Sequence, residues 1–245
     1  MITTEHRDGV TVLTIGHGPV NAMDLELCRA LTAGLRDVDG PVVVTGSGRA
    51  FSAGVDLRRL LDGGTAYVRE FLPALDTLFR TVFELEVPFV AAVGGHAIAG
   101  GAVLAAAADH VVMAEGRGRF GVPELAVGVA FPQSALEVLR HRVGEPALRR
   151  VVLGATTYGP GEARDLGLVD EVTDGSVVLD RAIAVAGGMG TSAPADAFAL
   201  TARQLRHDGL VRIADTDLDE VLTMWCRRIE DGWTARYLED TVGRR

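Results

Sequence analysis

Phe89-Val90-Ala91-Ala92-Val93-Gly94-Gly95-His96-Ala97-Ile98-Ala99-Gly100-Gly101-Ala102-Val103-Leu104-Ala105-Ala106-Ala107-Ala108 is the stretch from which the architecture is read. Residues 87–108 are almost uninterrupted apolar sequence, long enough to suggest a membrane span. The punctuation argues against one. Pro88 and the glycine pairs at 94–95 and 100–101 cut the run into pieces too short to cross a bilayer. The apolar residues 89–93 read as a strand buried on both faces, the glycines as a turn, and 100–108 as a buried helix. A buried strand followed by a turn and a helix is the repeating unit of a mixed α/β protein with parallel strands.

A second such unit begins upstream. Residues 42–45 are a continuous apolar strand, followed by a glycine-rich loop from Gly46 to Gly54. A helix over 66–84 carries Tyr67, Phe71, Leu75, Leu78 and Val82 at helical spacing, with Pro73 marking a kink or a later start. Before it, residues 2–5 and 10–15 form a hairpin about Asp8-Gly9. Asp24 then caps a helix bearing Leu27, Leu31 and Leu35. Downstream, the patterns predict a strand at 110–114, helices at 134–143, 146–153 and 161–166, and a strand at 168–172. Beyond residue 191 only helices are expected, over 195–206, 215–229 and 233–242. The composition shift at 187–194 divides a mixed α/β body, 1–190, from a helical tail, 191–245.

The bulk numbers exclude several functions. A chain of 245 residues, 48% hydrophobic, supports one substantial core. Its net charge of −9 repels a phosphate backbone, so no nucleic-acid partner is expected. All 24 basic residues are arginine, which removes lysine Schiff bases, pyridoxal phosphate anchoring and a phosphate-loop lysine. Cys28 and Cys226 read as buried thiols of a reducing compartment. Residues 1–10 are polar and lack a signal-like apolar run, so a cytoplasmic location is expected.

Other motifs are set aside on context. Gly116-Arg117-Gly118-Arg119-Phe120-Gly121 matches the dinucleotide fingerprint in letters, but Pro123 and Pro132 leave little room for the helix it must open. The six histidines show no metal-ligand spacing, so no metal is expected. His96 reads as a hydrogen-bonded core histidine. Ser47 and Ser52 fit no nucleophile elbow.

Three features make chemical sense together. Phe51-Ser52-Ala53-Gly54-Val55-Asp56-Leu57 follows a strand, and its small residues let backbone N–H groups approach a ligand. Ala99-Gly100-Gly101-Ala102-Val103-Leu104 opens an apolar helix whose first N–H groups are free donors at the positive end of the dipole. Phe120-Gly121-Val122-Pro123-Glu124-Leu125 embeds one carboxylate in apolar sequence. Singly, they read as a glycine loop, a tightly packed helix start and a first-turn helix acid.

With these motifs in this order, the chain resembles the crotonase (enoyl-CoA hydratase/isomerase) family. Pro19-Val20-Asn21-Ala22, Leu153-Gly154-Ala155, Glu162-Ala163 and Gly167-Leu168-Val169-Asp170 extend the match to nearly the whole chain. The resemblance implies a spiral of strand–strand–helix turns over 1–190 and a C-terminal helical oligomerisation or lid region over 191–245. It implies a homotrimer or dimer of trimers, with no membrane partner. It also implies an acyl-CoA thioester substrate in fatty-acid oxidation and no separate cofactor, coenzyme A being part of the substrate. The amides of Val55 and Gly100 correspond to the family's oxyanion hole. Ser52, Ala53, Gly54, Asp56 and Leu57 correspond to the segment bordering coenzyme A, and Gly101 and Val103 are further substrate-binding candidates.

Typical hydratases of the family carry two glutamates about the substrate. Here one is present, Glu124, and the other position falls on Val103. A valine neither holds nor deprotonates water. A single base suffices to move a proton from C2 to C4 of a 3-enoyl-CoA, so the chain looks most like the family's enoyl-CoA isomerases. Desolvation of Glu124 among Phe120, Val122, Leu125 and Val127 is expected to raise its pKa. Enoyl-CoA hydration and non-catalytic acyl-CoA binding stay open as alternatives, as does thioesterase or decarboxylase chemistry sharing the same amides. Arg58 and Arg59 are candidates for the coenzyme A phosphates against the simpler reading of a solvated loop. Residues 67–78 and the C-terminal helices are candidates for the acyl-pocket walls.

Overall fold

The computed structural model describes residues 1–242. The chain opens with the strands β1 (Ile2–Arg7) and β2 (Val10–Ile15). They pair antiparallel about Asp8 (φ 53°) and Gly9 (φ 77°), the two left-handed residues of a tight hairpin turn. Helix α1 (Leu25–Arg36) follows, and the Asp24 carboxylate accepts the Leu27 N–H at 2.8 Å. Then come β3 (Val42–Gly46), β4 (Ala50–Ser52) and the long helix α2 (Leu57–Phe83). The next turn comprises β5 (Phe89–Val93), β6 (His96–Ile98) and α3 (Gly100–Ala106). The third has β7 (His110–Ala114), β8 (Phe120–Gly121), α4 (Glu124–Val127) and α5 (Gln133–Leu153). After β9 (Thr157–Tyr158), α6 (Pro160–Asp165) and β10 (Glu171–Thr173), the rest is helical. Its helices are α7 (Val178–Ser192), α8 (Ala195–Ala214), α9 (Asp219–Glu230) and α10 (Trp233–Val242).

Two sheets result. The larger runs β1-β2-β3-β5-β7-β10 and is parallel except for β1; the smaller runs β4-β6-β8-β9. Three successive turns, β3-β4-α2, β5-β6-α3 and β7-β8-α4, each place one strand in the larger sheet, one in the smaller and then a helix. Alternation between two covered faces explains why the inner strands β3, β5 and β7 are almost wholly apolar. Val10, Val12, Val43, Val90 and Val112 pack under α7, while Leu13, Ile15, Val44, Ala91 and Val111 face the main core with α2 and α3. Every residue of α3 is buried, and no described helix is long and apolar enough to cross a membrane.

The structure departs from the sequence expectations where elements are short or glycine-rich. The loop between Gly46 and Gly54 contains β4, and the turn after Gly94-Gly95 contains β6, strands of three residues that cannot display a period. Helix α2 begins at Leu57 rather than residue 66. Gly64 (φ 62°, ψ −159°) breaks it without ending it, and Pro73 sits on its exposed side. Likewise Gly144 (φ 67°) interrupts α5. The strand expected at 168–172 lies at Glu171–Thr173, because Leu168 and Val169 are buried just after α6. Helix α7 was not anticipated. Its glycines at 187–190 read as a boundary, yet they bring the helix against the sheet: a Cβ at Gly190 would meet the Pro41 ring at 2.4 Å.

The C-terminal helices are pinned by arginine. Arg206, buried on α8, donates to Asp109 at 2.5 Å and to the Leu85 carbonyl. Arg212 reaches the fully buried Glu137 at 2.7 Å. Helix α9 packs on α2, and α10 on α9, α2 and α4.

The cap of α1 provides a test of local stability. Asp24 also meets the His17 ring Nε2 at 2.7 Å, so Asp24→Ala removes two contacts. It should lower the unfolding free energy by about 1–2 kcal/mol in urea titration. An unchanged midpoint would mean that α1 does not depend on its cap.

Candidate active site

The three motif regions meet at one cavity of about 560 Å³. Its wall includes Ala53, Val55, Asp56 and Leu57 from the loop before α2, Gly100 and Val103 from α3, and Glu124 from α4. Of the expected site residues, Ser52, Gly54 and Gly101 are not in the wall. All three are buried one layer behind it. They are close-packing residues. A Cβ at Gly54 (φ 82°) would lie 2.6 Å from the Ile98 carbonyl oxygen and 3.3 Å from the Gly100 nitrogen. A Cβ at Gly101 would lie 2.5 Å from the Ser52 carbonyl oxygen. Only glycine permits this contact of main chain with main chain.

The orientation of the two amides follows from their neighbours. Met23 forms a parallel bridge with Val55: the Met23 N–H donates to the Gly54 carbonyl at 2.7 Å, and the Asp56 N–H donates to the Met23 carbonyl at 2.9 Å. A trans peptide points its N–H opposite its carbonyl, so the Val55 N–H faces away from Met23. The Gly100 N–H is a first-turn donor of α3. Neither amide donates to an acceptor among the described residues. Ala99, the residue before the helix, holds φ 52° and ψ −127° without a side-chain cap. This strained backbone is locked by the Ala99 N–H on the Gly121 carbonyl at 2.8 Å and by the Val103 N–H on its own carbonyl at 3.0 Å.

Glu124 is 8% exposed, and its Oε2 has no hydrogen-bond partner among the described residues. Burial pushes its pKa up to about 8 against only a small opposing effect from its own backbone N–H. The other carboxylate in the wall, Asp56, is half-buried and caps α2 by accepting the Arg59 N–H at 3.0 Å. Val103 is 1% exposed to solvent overall and supplies apolar wall. Phe79, Leu75, Val129, Phe131 and Trp225 add to it.

Of the two arginines considered for phosphate, Arg59 is engaged elsewhere. It pairs with Glu26 at 2.6 Å and lies over the Tyr67 ring, 5.6 Å from its centroid. Arg58 is exposed and borders the cavity. No group of three or more potential metal-ligating side chains occurs among the described residues.

Other contributors are not singled out individually by the sequence, although the C-terminal helices are candidates for the acyl-pocket walls. Asn21 (φ 53°) accepts the His17 N–H at 2.9 Å and donates to the carbonyls of Ser47 and Ala50 at 3.1 and 2.9 Å. The Pro19-Val20-Asn21-Ala22 motif was the available signal, but its partners lie 26 and 29 residues away. Thr234, Tyr237 and Leu238 on α10 close the cavity. Trp225 lies on an expected helical stripe. Its indole N–H donates to the Ala130 carbonyl at 2.9 Å, tying α9 to the segment after α4.

Known proteins resemble this chain in sequence and in fold. A family model described as "Enoyl-CoA hydratase/isomerase" matches residues 5–222. A Thermus thermophilus protein provisionally named an enoyl-CoA hydratase is 36% identical over 183 residues, 71% of each chain. The mouse mitochondrial enoyl-CoA delta isomerase 1 is 27% identical over 192 residues, 76% of this chain and 66% of that one. Among solved structures, human mitochondrial delta3-delta2-enoyl-CoA isomerase superposes with a TM-score of 0.88 at 25% identity, covering 99% of this chain and 97% of the other. The strand–strand–helix spiral, the motif order along it and the span of the match place this chain in the enoyl-CoA hydratase/isomerase (crotonase) family of enzymes.

Proposed function

We propose that the protein isomerises 3-enoyl-CoA to trans-2-enoyl-CoA, with Glu124 as the single base and the Val55 and Gly100 amides as an oxyanion hole. The observation that carries this reading is a buried, unpartnered Glu124 sharing an apolar cavity with Val103. The ionised carboxylate removes a proton from C2, and the electron pair moves through the thioester to its oxygen. Two preorganised N–H donors meet that charge as it forms, and the dipole of α3 adds to the field. The protonated Glu124 then returns the proton at C4, and the double bond comes to rest between C2 and C3. A base near pKa 8 accepts and releases a proton with comparable ease. Val103 excludes the water that hydration would require. Ala53, Asp56 and Leu57 border the coenzyme A moiety.

Hydration is the second reading, favoured by the name of the Thermus thermophilus relative. The proposed assembly is a homotrimer or dimer of trimers, supported by the exposed Leu200, Leu205 and Val211 on α8.

Supplying 3-enoyl-CoA should generate the conjugated 2-enoyl chromophore. Rapid loss of added 2-enoyl-CoA instead would favour hydration and defeat the isomerase reading. Glu124→Gln should lower kcat by about 10²–10⁴-fold while coenzyme A thioesters still bind. Substantial residual turnover would move the base elsewhere. Because the ionised form is active, kcat/KM should rise with pH through about 8 and then level. A profile already flat from pH 5 would contradict a desolvated base.

Folding stability should record the same carboxylate. Below pH 4.5 Glu124 is protonated whether folded or unfolded; between 4.5 and about 8 only the unfolded chain ionises, so stability falls. Glu124→Gln lacks this loss, and its stability advantage over the wild type should grow from pH 4.5 to about 8 and then stay constant. Thermal melts of both proteins across that range would show a constant gap if Glu124 were solvated.

A further inference from the structure

We propose that Ser52 is a positioning residue that holds the Val55 and Gly100 amides in one rigid unit. This rests on the reading of those amides as the donors to the thioester oxygen. Ser52 is 0% exposed and lies behind the cavity wall rather than in it. Its hydroxyl has two partners. The Oγ–H donates to the Asn21 carbonyl at 2.7 Å, and the Oγ accepts the Gly54 N–H at 3.2 Å. The next carbonyl, that of Gly54, accepts the Met23 N–H at 2.7 Å. Two successive peptide planes before the Val55 nitrogen are thereby fixed, and the second carries the Val55 N–H itself.

The same side chain touches the other half of the site. A Cβ at Gly101 would lie 2.7 Å from the Ser52 Cβ and 2.9 Å from its Oγ, so the first turn of α3 rests directly on Ser52. Ser52 also pairs with Ala97 across the small sheet, two residues before Ala99. One buried side chain therefore abuts the strand and helix start that present Gly100, while hydrogen bonding into the loop that presents Val55. The buried Asn21 anchors it: its side chain donates to the carbonyls of residues 47 and 50, and its carbonyl accepts the serine O–H. Removing the hydroxyl leaves the Gly54 N–H without its acceptor and lets that peptide rotate. The Val55 amide then keeps only its Met23 bridge, and its aim loosens while the wall of the cavity stays in place.

The test reads the donors directly. Hexanoyl-CoA labelled with ¹³C at the thioester carbonyl is bound to the full chain, and the C=O stretch is followed by isotope-edited infrared difference spectroscopy. In the wild type the stretch should shift to lower frequency than in solution. Ser52→Ala should lose more than about half of that shift and lower kcat by about 10–100-fold, less than removal of a whole donor, with KM within about threefold. Ser52→Cys, whose sulfur is a weaker acceptor of similar reach, should fall between them. It carries the test if Ser52→Ala does not accumulate as folded protein. A folded Ser52→Ala or Ser52→Cys protein with the full shift and wild-type kcat would overturn the positioning role and leave the amide pair standing. A wild-type complex with no shift would overturn the amide pair, and this inference with it.

Discussion

At Gly54 a side chain's first carbon would stand 2.6 Å from the Ile98 carbonyl oxygen, and at Gly101 it would stand 2.5 Å from that of Ser52. Those distances are shorter than any side chain tolerates, and the rest of the site follows from them. Main chain packs on main chain, so the loop before α2 and the start of α3 present unpaired N–H groups to the same cavity. The spiral brings these strips together because β4 and β6 are neighbours in the small sheet. The third strand of that sheet, β8, ends three residues before Glu124 and delivers the carboxylate to the same place. Ala99 stores backbone strain at the junction, held by hydrogen bonds on both sides.

The buried acids sort themselves by their partners. Asp76 accepts Ser134 at 2.6 Å and Arg80 at 2.7 Å. Glu137, fully buried, accepts Gln133 and Arg212 and lies near Arg140. Asp109, partly buried, accepts Arg206 and the Phe89 N–H. In each case the charge is matched, as burial of a carboxylate requires. Glu124 has an oxygen with no such partner and a pKa near 8. Asp24, also buried, accepts the Leu27 N–H and meets His17, so Glu124 is the buried acid with an oxygen left unpartnered among the described residues, which supports its proposed role as the base.

The C-terminal helices complete the enclosure. Trp225 and Ile229 from α9 and Thr234 and Tyr237 from α10 form wall that the spiral alone does not provide. The indole N–H groups of Trp225 and Trp233 reach the carbonyls of Ala130 and Ala126, on either side of the end of α4. The helix that carries Glu124 is only four residues long, so these contacts help hold it.

Much of this was legible in residue order. The hairpin, the Asp24 cap, the strands at Val42, Phe89 and His110 and the helix at Trp233 follow from alternation, capping and helical spacing, which are local properties. The glycine loop, the glycine-opened helix and the lone acid could likewise be recognised because each is a short contiguous pattern. What the order of residues could not convey was which of those side chains face the cavity. Ser52, Gly54 and Gly101 sit in the right motifs but behind the wall, and Asn21, Ala99 and Tyr237 take part through partners distant in sequence or through a backbone angle. The short strands β4, β6, β8 and β9 and the glycine-bearing α7 were equally invisible, since tertiary packing rather than local preference stabilises them. Sequence determined the chemical groups and the spiral that carries them; the close approach of β4, β6 and β8 decided their orientation, because hydrogen-bond direction and desolvation depend on neighbours that only folding supplies.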